Sequence, residues 1–414
     1  MKSDNSPTPS RRTSASSLSK STALQQLHHH NHHQHKNSDG TQADTIKIPT
    51  DGFHDHKDFL GDNKEGCSEP VGIRSLTPGA YSHGNDGDDN DSGIESEYDE
   101  KECAKRRSTT LPDEAQHEVS DKGPICCWDE LPPWMKDNPA IITGYRRPTH
   151  NYSKTIASLG YLHNESVNIW SHLLGAIIFV IVAPISYFKI IGLLDAIHWT
   201  DVAVFYAFLA GAIICLSMSA SFHTFCCHSE AVASQWNRCD YVGIVFLIVG
   251  SFYPAIFYGF YCHKTWQIMY ISLISIFGAA TIFVVMRPKF RTPQFRWVRS
   301  GLFLAMGLSG LFPIVHGIVL YGFAMAQRAV ALNYMFCMGA AYVIGALIYG
   351  SRVPECFFPG KFDHFAASHQ IFHICVLIGC AIHFFGVTKA MTFWHQSNHS
   401  CDVPLETLKA MFVN

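Results

Sequence analysis

His369 and His373 stand four residues apart within the stretch Arg352 to Val376, where a short polar connection runs into the last apolar segment. On an α-helix that spacing puts both imidazoles on one face, roughly 6 Å apart along the axis, close enough to grip one metal ion. Ser219 and His223 repeat the spacing near the end of an earlier apolar segment, and Asp240 stands where the next one begins. Three imidazoles with an open fourth position are the usual catalytic zinc arrangement, and a carboxylate and a hydroxyl beside them supply a proton acceptor and a donor. Glu165, Asn168 and His172 form a further polar stripe at i, i+3 and i+7. They either join the metal site or form a hydrogen-bonded clasp that holds the first span and the loops, and the clasp is the preferred reading. His316, His383 and His395 are poorer candidates. His383 lies fourteen residues past His369, roughly 21 Å further along a helix.

These groups converge only if long apolar helices carry them. Of 414 residues, the first 125 or so are almost free of apolar runs, whereas from Ile169 onward segments long enough to cross a ~30 Å hydrocarbon core follow one another. Seven are expected, over about 168–190, 203–226, 241–262, 265–286, 300–324, 329–350 and 366–388, with Pro184, Pro254 and Pro313 marking kinks or close packing. Their interiors lack Asp, Glu, Lys and Arg, and only spanning helices satisfy so much apolar backbone. The fold class is therefore an all-α membrane protein of seven transmembrane helices.

Orientation follows from the loops. Eleven Lys and Arg flank one side, from Arg146 and Arg147 to Arg352 and Lys361, against five on the other, Lys189, Lys264, Arg328, Lys389 and Lys409. The excess puts the amino terminus in the cytosol and the carboxyl terminus outside. His223, His369, His373, Ser219 and Asp240 then share one slab of the membrane near its cytosolic face, where ionisable groups are costly and usually functional.

Outside the spans, residues 1–125 read as a disordered, His-rich and acidic cytosolic region. Six of the eight residues from His28 to His35 are histidine, eight of the sixteen from Asn85 to Glu100 are acidic, and KRRSTTLP, Lys105 to Pro112, sets hydroxyls beside a basic cluster. Residues 126–165 suit a juxtamembrane cap, 166–390 the membrane domain and 391–414 a short external tail. The formal charge of −3 says little, and nothing points to nucleic acid. Most of the 14 cysteines read as small packing residues, Cys262 and Cys401 alone being placed for an oxidising compartment. The amino terminus lacks the apolar core of a cleaved signal peptide.

Taken in order, Glu165-x-x-Asn168-x-x-x-His172, Ser219-x-x-x-His223 followed by Asp240, and His369-x-x-x-His373 resemble the three motifs of the progestin and adipoQ receptor family, also called hemolysin III-like. Tyr161 to Ala176 and Arg352 to His373 are most similar to its adiponectin-receptor branch, including fungal zinc-homeostasis members. The resemblance covers about residues 128–390. It implies zinc held by His223, His369 and His373, with a water between the zinc and Asp240 and Ser219 close by. It also implies a receptor, a ceramidase-like lipid amide hydrolase, or both, with ceramide or a related membrane lipid as substrate or ligand and an extracellular ligand as a further partner. Two alternatives stand beside the hydrolase: a signalling receptor in which zinc is structural, and a zinc transporter. The transporter is disfavoured because the outer halves of the spans look nearly devoid of polar groups.

Overall fold

A computed structural model describes residues 123–396 together with 401 and 407. The expected disorder before residue 123, the histidine patch, the acidic stretch and the basic cluster lie outside the described residues.

The described chain opens as a cap. Strands β1 (Ile125–Cys126) and β2 (Tyr145–Arg146) pair antiparallel, and Leu131, Ile141, Tyr145 and Ala367 form a small core beside them. Gly144 turns the chain into β2 with φ +75°, and a Cβ there would lie 2.5 Å from a His364 ring carbon, so both backbone and space require glycine. Helix α1 (Tyr152–Ala157), with Asn151 as its N-cap, leads to the membrane region.

Among the described residues seven helical segments are long and apolar enough to cross a membrane. The chain is an integral, multi-pass membrane protein. The first four spans are α2 (Ser166–Lys189), α3 (Trp199–Phe225), α4 (Glu230–Gly259) and α5 (Lys264–Val285). The fifth comprises α6 (Arg296–Leu308) and α7 (Leu311–Tyr321), followed by the short α8 (Phe323–Ala329). The sixth is α9 (Leu332–Ser351) and the seventh α10 (Ser368–Gln396). Ile178, Ile181 and Ile185 of α2 and Phe312, Val315 and Val319 of α7 face outward, as suits hydrocarbon rather than water. Phe205, Phe208, Leu209 and Leu216 of α3 are wholly buried. The second and third spans are the most buried of the seven and form the middle of the bundle.

Three boundaries depart from the apolar pattern. Helix α4 starts eleven residues before the expected Tyr241, because its first three turns carry Glu230, Gln235, Asn237 and Arg238, which a hydropathy reading assigns to a loop. The fifth span breaks at Ser309–Gly310. Pro313 cannot donate to the Ser309 carbonyl, which instead accepts from Phe312 N at 3.2 Å. The seventh helix runs through Gln396, past the expected end of the membrane domain at 390.

Helices α3 and α4 approach backbone to backbone. A Cβ on Gly211 would meet the Phe246 carbonyl oxygen at 2.5 Å, and one on Gly250 the Ala207 oxygen at 2.7 Å. This contact fixes Ser219 and His223 of α3 against Asp240 of α4. At the outer end Cys262 and Cys401 form a disulfide. Cys127 and Cys356, at the opposite end, each take part in a disulfide too, so sidedness rests on the loop charges, which assign the end of α3 and the start of α10 to the cytosol.

Candidate metal centre

His223 ends the last full turn of α3, and its neighbours hold that turn in place. Arg146 of β2 is 2% exposed. Its guanidinium donates to the His223 carbonyl at 2.5 Å, the Thr224 carbonyl at 3.0 Å, Ser158 Oγ at 2.8 Å and Cys226 Sγ at 3.3 Å. A cation there satisfies carbonyls that the helix end leaves without partners. Burial pushes the Cys226 thiol up, so it stays protonated beside the arginine.

The start of α10 is held by carboxylate and amide groups. Glu355, fully buried, accepts from Ser368 N at 2.7 Å and from Ser368 Oγ, while Asn138 donates to it at 3.1 Å. The Gln370 side chain accepts from Ala367 N at 3.3 Å, which closes the helix start in the manner of a capping box. A negative charge on a helix N-terminus is favourable. These bonds set His369 and His373 one turn apart, facing α3.

Ring nitrogens of His223, His369 and His373 all lie within 4.8 Å of one another, and Nε2 of His223 is 3.1 Å from Nε2 of His369. His223 Nδ1 is 2.7 Å from Glu165 Oε2, and His373 Nδ1 is 3.2 Å from the Asn168 carbonyl. A carboxylate and a carbonyl only accept, so both Nδ1 atoms carry the proton and both Nε2 atoms are bare. His369 Nε2 faces the bare His223 Nε2 at 3.1 Å, a gap that either a proton on His369 or a cation can bridge. The donor set fits a divalent metal, and imidazoles anchored from behind by acceptors are how proteins orient such ligands.

Glu165, Asn168 and His172 stand one contact behind the three histidines rather than among them. Asn168 Nδ2 donates to Glu165 Oε2 at 2.6 Å, so one carboxylate oxygen serves both α2 and α3. Burial alone would raise the Glu165 carboxyl, but His223 and the bonds from His223 and Asn168 hold it below the ordinary carboxylate range. His172 stacks on His373 with ring centroids 3.7 Å apart and planes 8° from parallel.

Ser219 and Asp240 are buried, lie against each other, and line a cavity of about 430 Å³ with His172, His369 and His373. Its remaining wall is mostly apolar, drawn from the third, fifth, sixth and seventh spans. A second cavity, of about 420 Å³, lies under Pro133–Asn138 at the cytosolic end. Asp240, Tyr241, Arg299, Tyr349 and His369 line both, so the histidines stand where a polar vestibule meets an apolar chamber.

Arg146, Glu355, Gln370, Arg299 and Tyr349 escaped the reading of spacing. Glu355 stands eleven residues before the expected helix start at 366, too far for spacing to mark it as a cap. Arg146 left no trace, because its partners are backbone carbonyls almost eighty residues away.

The outer half of the bundle is more polar than expected. Asp201, just inside α3, accepts from His395 Nε2 at 2.8 Å and from Tyr258 hydroxyl at 3.1 Å, all three being buried. Hydropathy hid the group because Asp201 and His395 lie beyond the ends of their apolar runs and Tyr258 lies near the end of its own. His316 bonds the Tyr270 hydroxyl at 3.0 Å and is remote from the metal ligands.

The profile of the family described as haemolysin-III related matches residues 160–384, which include all eight residues of the three motifs. The chain belongs to the haemolysin-III-related family. Members similar to it are an adiponectin receptor protein of Drosophila melanogaster, 39% identical over 69% of this chain and 63% of that protein, and the progestin and adipoQ receptor-like protein 1 of Caenorhabditis elegans, 37% identical over 67% and 62%. The ADIPOR-like receptor IZH2 of Saccharomyces cerevisiae is 38% identical over 65% of this chain and 84% of its own length. The match spans slightly less than two-thirds of the fly and worm proteins. Within this haemolysin-III-related group the chain is adiponectin-receptor-like, and other relatives are named heptahelical transmembrane proteins, in keeping with its seven spans.

Proposed function

We propose that the protein is a zinc-dependent hydrolase of membrane lipid amides, with ceramide or a related lipid as substrate. The observation that carries this reading is the convergence of three imidazoles, two of which, His369 and His373, border an apolar cavity lined by Ser219 and Asp240. His223, His369 and His373 would hold the ion. Zinc so bound supplies a Lewis acid for the amide carbonyl and acidifies a water molecule.

The remaining chemistry belongs to the chain. Asp240 takes a proton from the attacking water and passes it to the leaving nitrogen, so that the C–N bond breaks as a C–O bond forms. Ser219 Oγ–H donates to the carbonyl oxygen as negative charge develops there. The apolar wall holds the acyl chain and keeps bulk water away from the reacting carbon. The products are a fatty acid and a long-chain base, which leave through the membrane or the vestibule.

The test is release of fatty acid from labelled ceramide by purified protein, with zinc measured on the same sample. Wild type should contain about one zinc per chain and turn over, and His369→Ala should lose both. Zinc without turnover above background at any pH would defeat the hydrolase reading. Glu165→Gln keeps the shape but weakens the acceptor behind His223. We expect zinc to be stripped by a competing chelator at about 10- to 100-fold lower chelator activity than in wild type.

The relatives' names favour a second reading, a receptor in which an extracellular ligand acts on the seven-helix bundle and zinc ties the second span to the seventh. In that case Asp240→Ala lowers stability more than it lowers any lipid turnover.

A further inference from the structure

The polar vestibule carries positive charge that the hydrolytic reading leaves without a task. Arg296 opens α6, Arg299 follows on the same helix, and Arg352 caps the end of α9; all three line the vestibule. Arg296 Nε donates to the Gly350 carbonyl at 3.1 Å, which ties the two helix ends together. Arg352 and Arg299 are close enough for their charges to act on Arg296. Among the described residues no carboxylate lies at ion-pair distance from any of the three. Like charges gathered in a half-buried site repel one another unless an anion joins them.

The three differ in the donors they have left. Arg299 is taken up by the protein: Nη1 donates to the Phe290 and Thr292 carbonyls at 2.6 and 2.7 Å, and the guanidinium also bonds Tyr349. Arg352 Nη2 donates to the Asp137 carbonyl at 2.6 Å. Among the described residues Nη1 and Nη2 of Arg296, and Nε and Nη1 of Arg352, have no partner. These four nitrogens keep accessible surface, so they are not sealed behind the wall. Arg352 is also held at φ +56°, in the left-handed conformation for which glycine is the usual helix end. A long cationic side chain is retained there against the backbone's preference. Of the carboxylates in the same wall, Glu165, Glu355 and Asp363 have donors of their own. Asp137, which is exposed, is the one whose charge reaches Arg296.

We propose that Arg296 and Arg352 form a binding site for a phosphate monoester in the vestibule. Each guanidinium offers two N–H-bearing nitrogens in a planar fork, the arrangement that phosphate oxygens accept. Two guanidinium charges match a phosphate dianion, which a single carboxylate does not. The first turn of α6 adds the positive end of a helix dipole. Such a phosphate is either free in the cytosol or the headgroup of a lipid, and the vestibule meets the apolar chamber where a lipid's chains would lie. The inference goes beyond the hydrolase reading and does not rest on it.

The experiment is equilibrium binding of radiolabelled inorganic phosphate and of radiolabelled dioleoyl phosphatidic acid to the full protein, in an uncharged detergent at constant ionic strength. Wild type should bind about one phosphate group per chain, saturably. Arg296→Gln and Arg352→Gln should each weaken that binding about tenfold or more. Asp137→Asn should tighten it, because it removes the opposing charge nearest Arg296. Lys289→Gln, on the same membrane face but outside the vestibule wall, should change nothing. Tighter binding of the lipid assigns the site to a headgroup, and equal binding of both probes assigns it to the free ion. No saturable binding of either probe overturns the proposal. So does binding that survives both glutamine substitutions, or that falls equally in Lys289→Gln. Should the arginine variants fail to fold, unchanged affinity in Asp137→Asn overturns it instead. None of these results bears on turnover of lipid amides.

Discussion

Asp240→Asn is expected to lower lipid-amide turnover by about 10²- to 10⁴-fold while the zinc content of the purified protein stays at the wild-type level. Asparagine fills the same space on α4 and can still hydrogen-bond, but it cannot accept a proton from water. None of the three converging histidines depends on Asp240 for its orientation: Glu165 anchors His223, Asn168 anchors His373, and the capped start of α10 places His369. Binding and chemistry should therefore separate, with KM for ceramide little changed and kcat carrying the loss. Loss of zinc together with turnover would mean that Asp240 supports the metal, and the role of proton acceptor would have to go elsewhere. Ser219→Ala should cost less than Asp240→Asn, because one neutral donor to a developing charge is worth fewer powers of ten than the acceptor without which the nucleophile does not form.

The second large effect is structural. Arg146→Met should destabilise the protein by about 3–5 kcal/mol and release metal in the same transition, read as a fall in Tm with zinc loss in detergent. The methionine matches much of the volume, so packing is largely kept. What is lost is a buried cation bonded to two carbonyls, a hydroxyl and a thiol at the very turn that carries His223. Those carbonyls then keep only the weak thiol donors of Cys226 and Cys227. Arg146→Lys should recover little, since one ammonium cannot span the positions that the guanidinium fork reaches. An unchanged Tm with full zinc in Arg146→Met would show that the end of α3 holds itself.

Much of this architecture was legible in the chain because membranes impose a simple rule. Apolar length announced the seven spans, and i, i+4 spacing announced that His369 with His373, and Ser219 with His223, share a face. That the two pairs meet followed from counting spans and loop charges, which put the end of the second and the start of the seventh in one slab. Helix ends were not legible. The polar first turns of α4 look like loop because hydropathy marks where the membrane begins, not where hydrogen bonding does. Arg146 was hidden for a different reason: it acts largely on backbone atoms of a distant segment, and backbone leaves no letter in a sequence. The outer group of Asp201, Tyr258 and His395 was missed because its members sit at the margins of three separate apolar runs. That group removes the argument against transport that rested on apolar outer halves.

His223 and His369 are 146 residues apart, and the interval has a duration. At roughly 5–20 residues per second, about 7 to 30 s pass between the synthesis of the first of the three histidines and that of the second. During that time the ribosome has delivered Glu165, Asn168 and His223, only one of the three converging imidazoles. Only when the seventh helix enters does a tight site exist. If the three histidines hold zinc as proposed, a chain cut short before α10 lacks two of its three ligands and cannot capture the ion as the whole chain would.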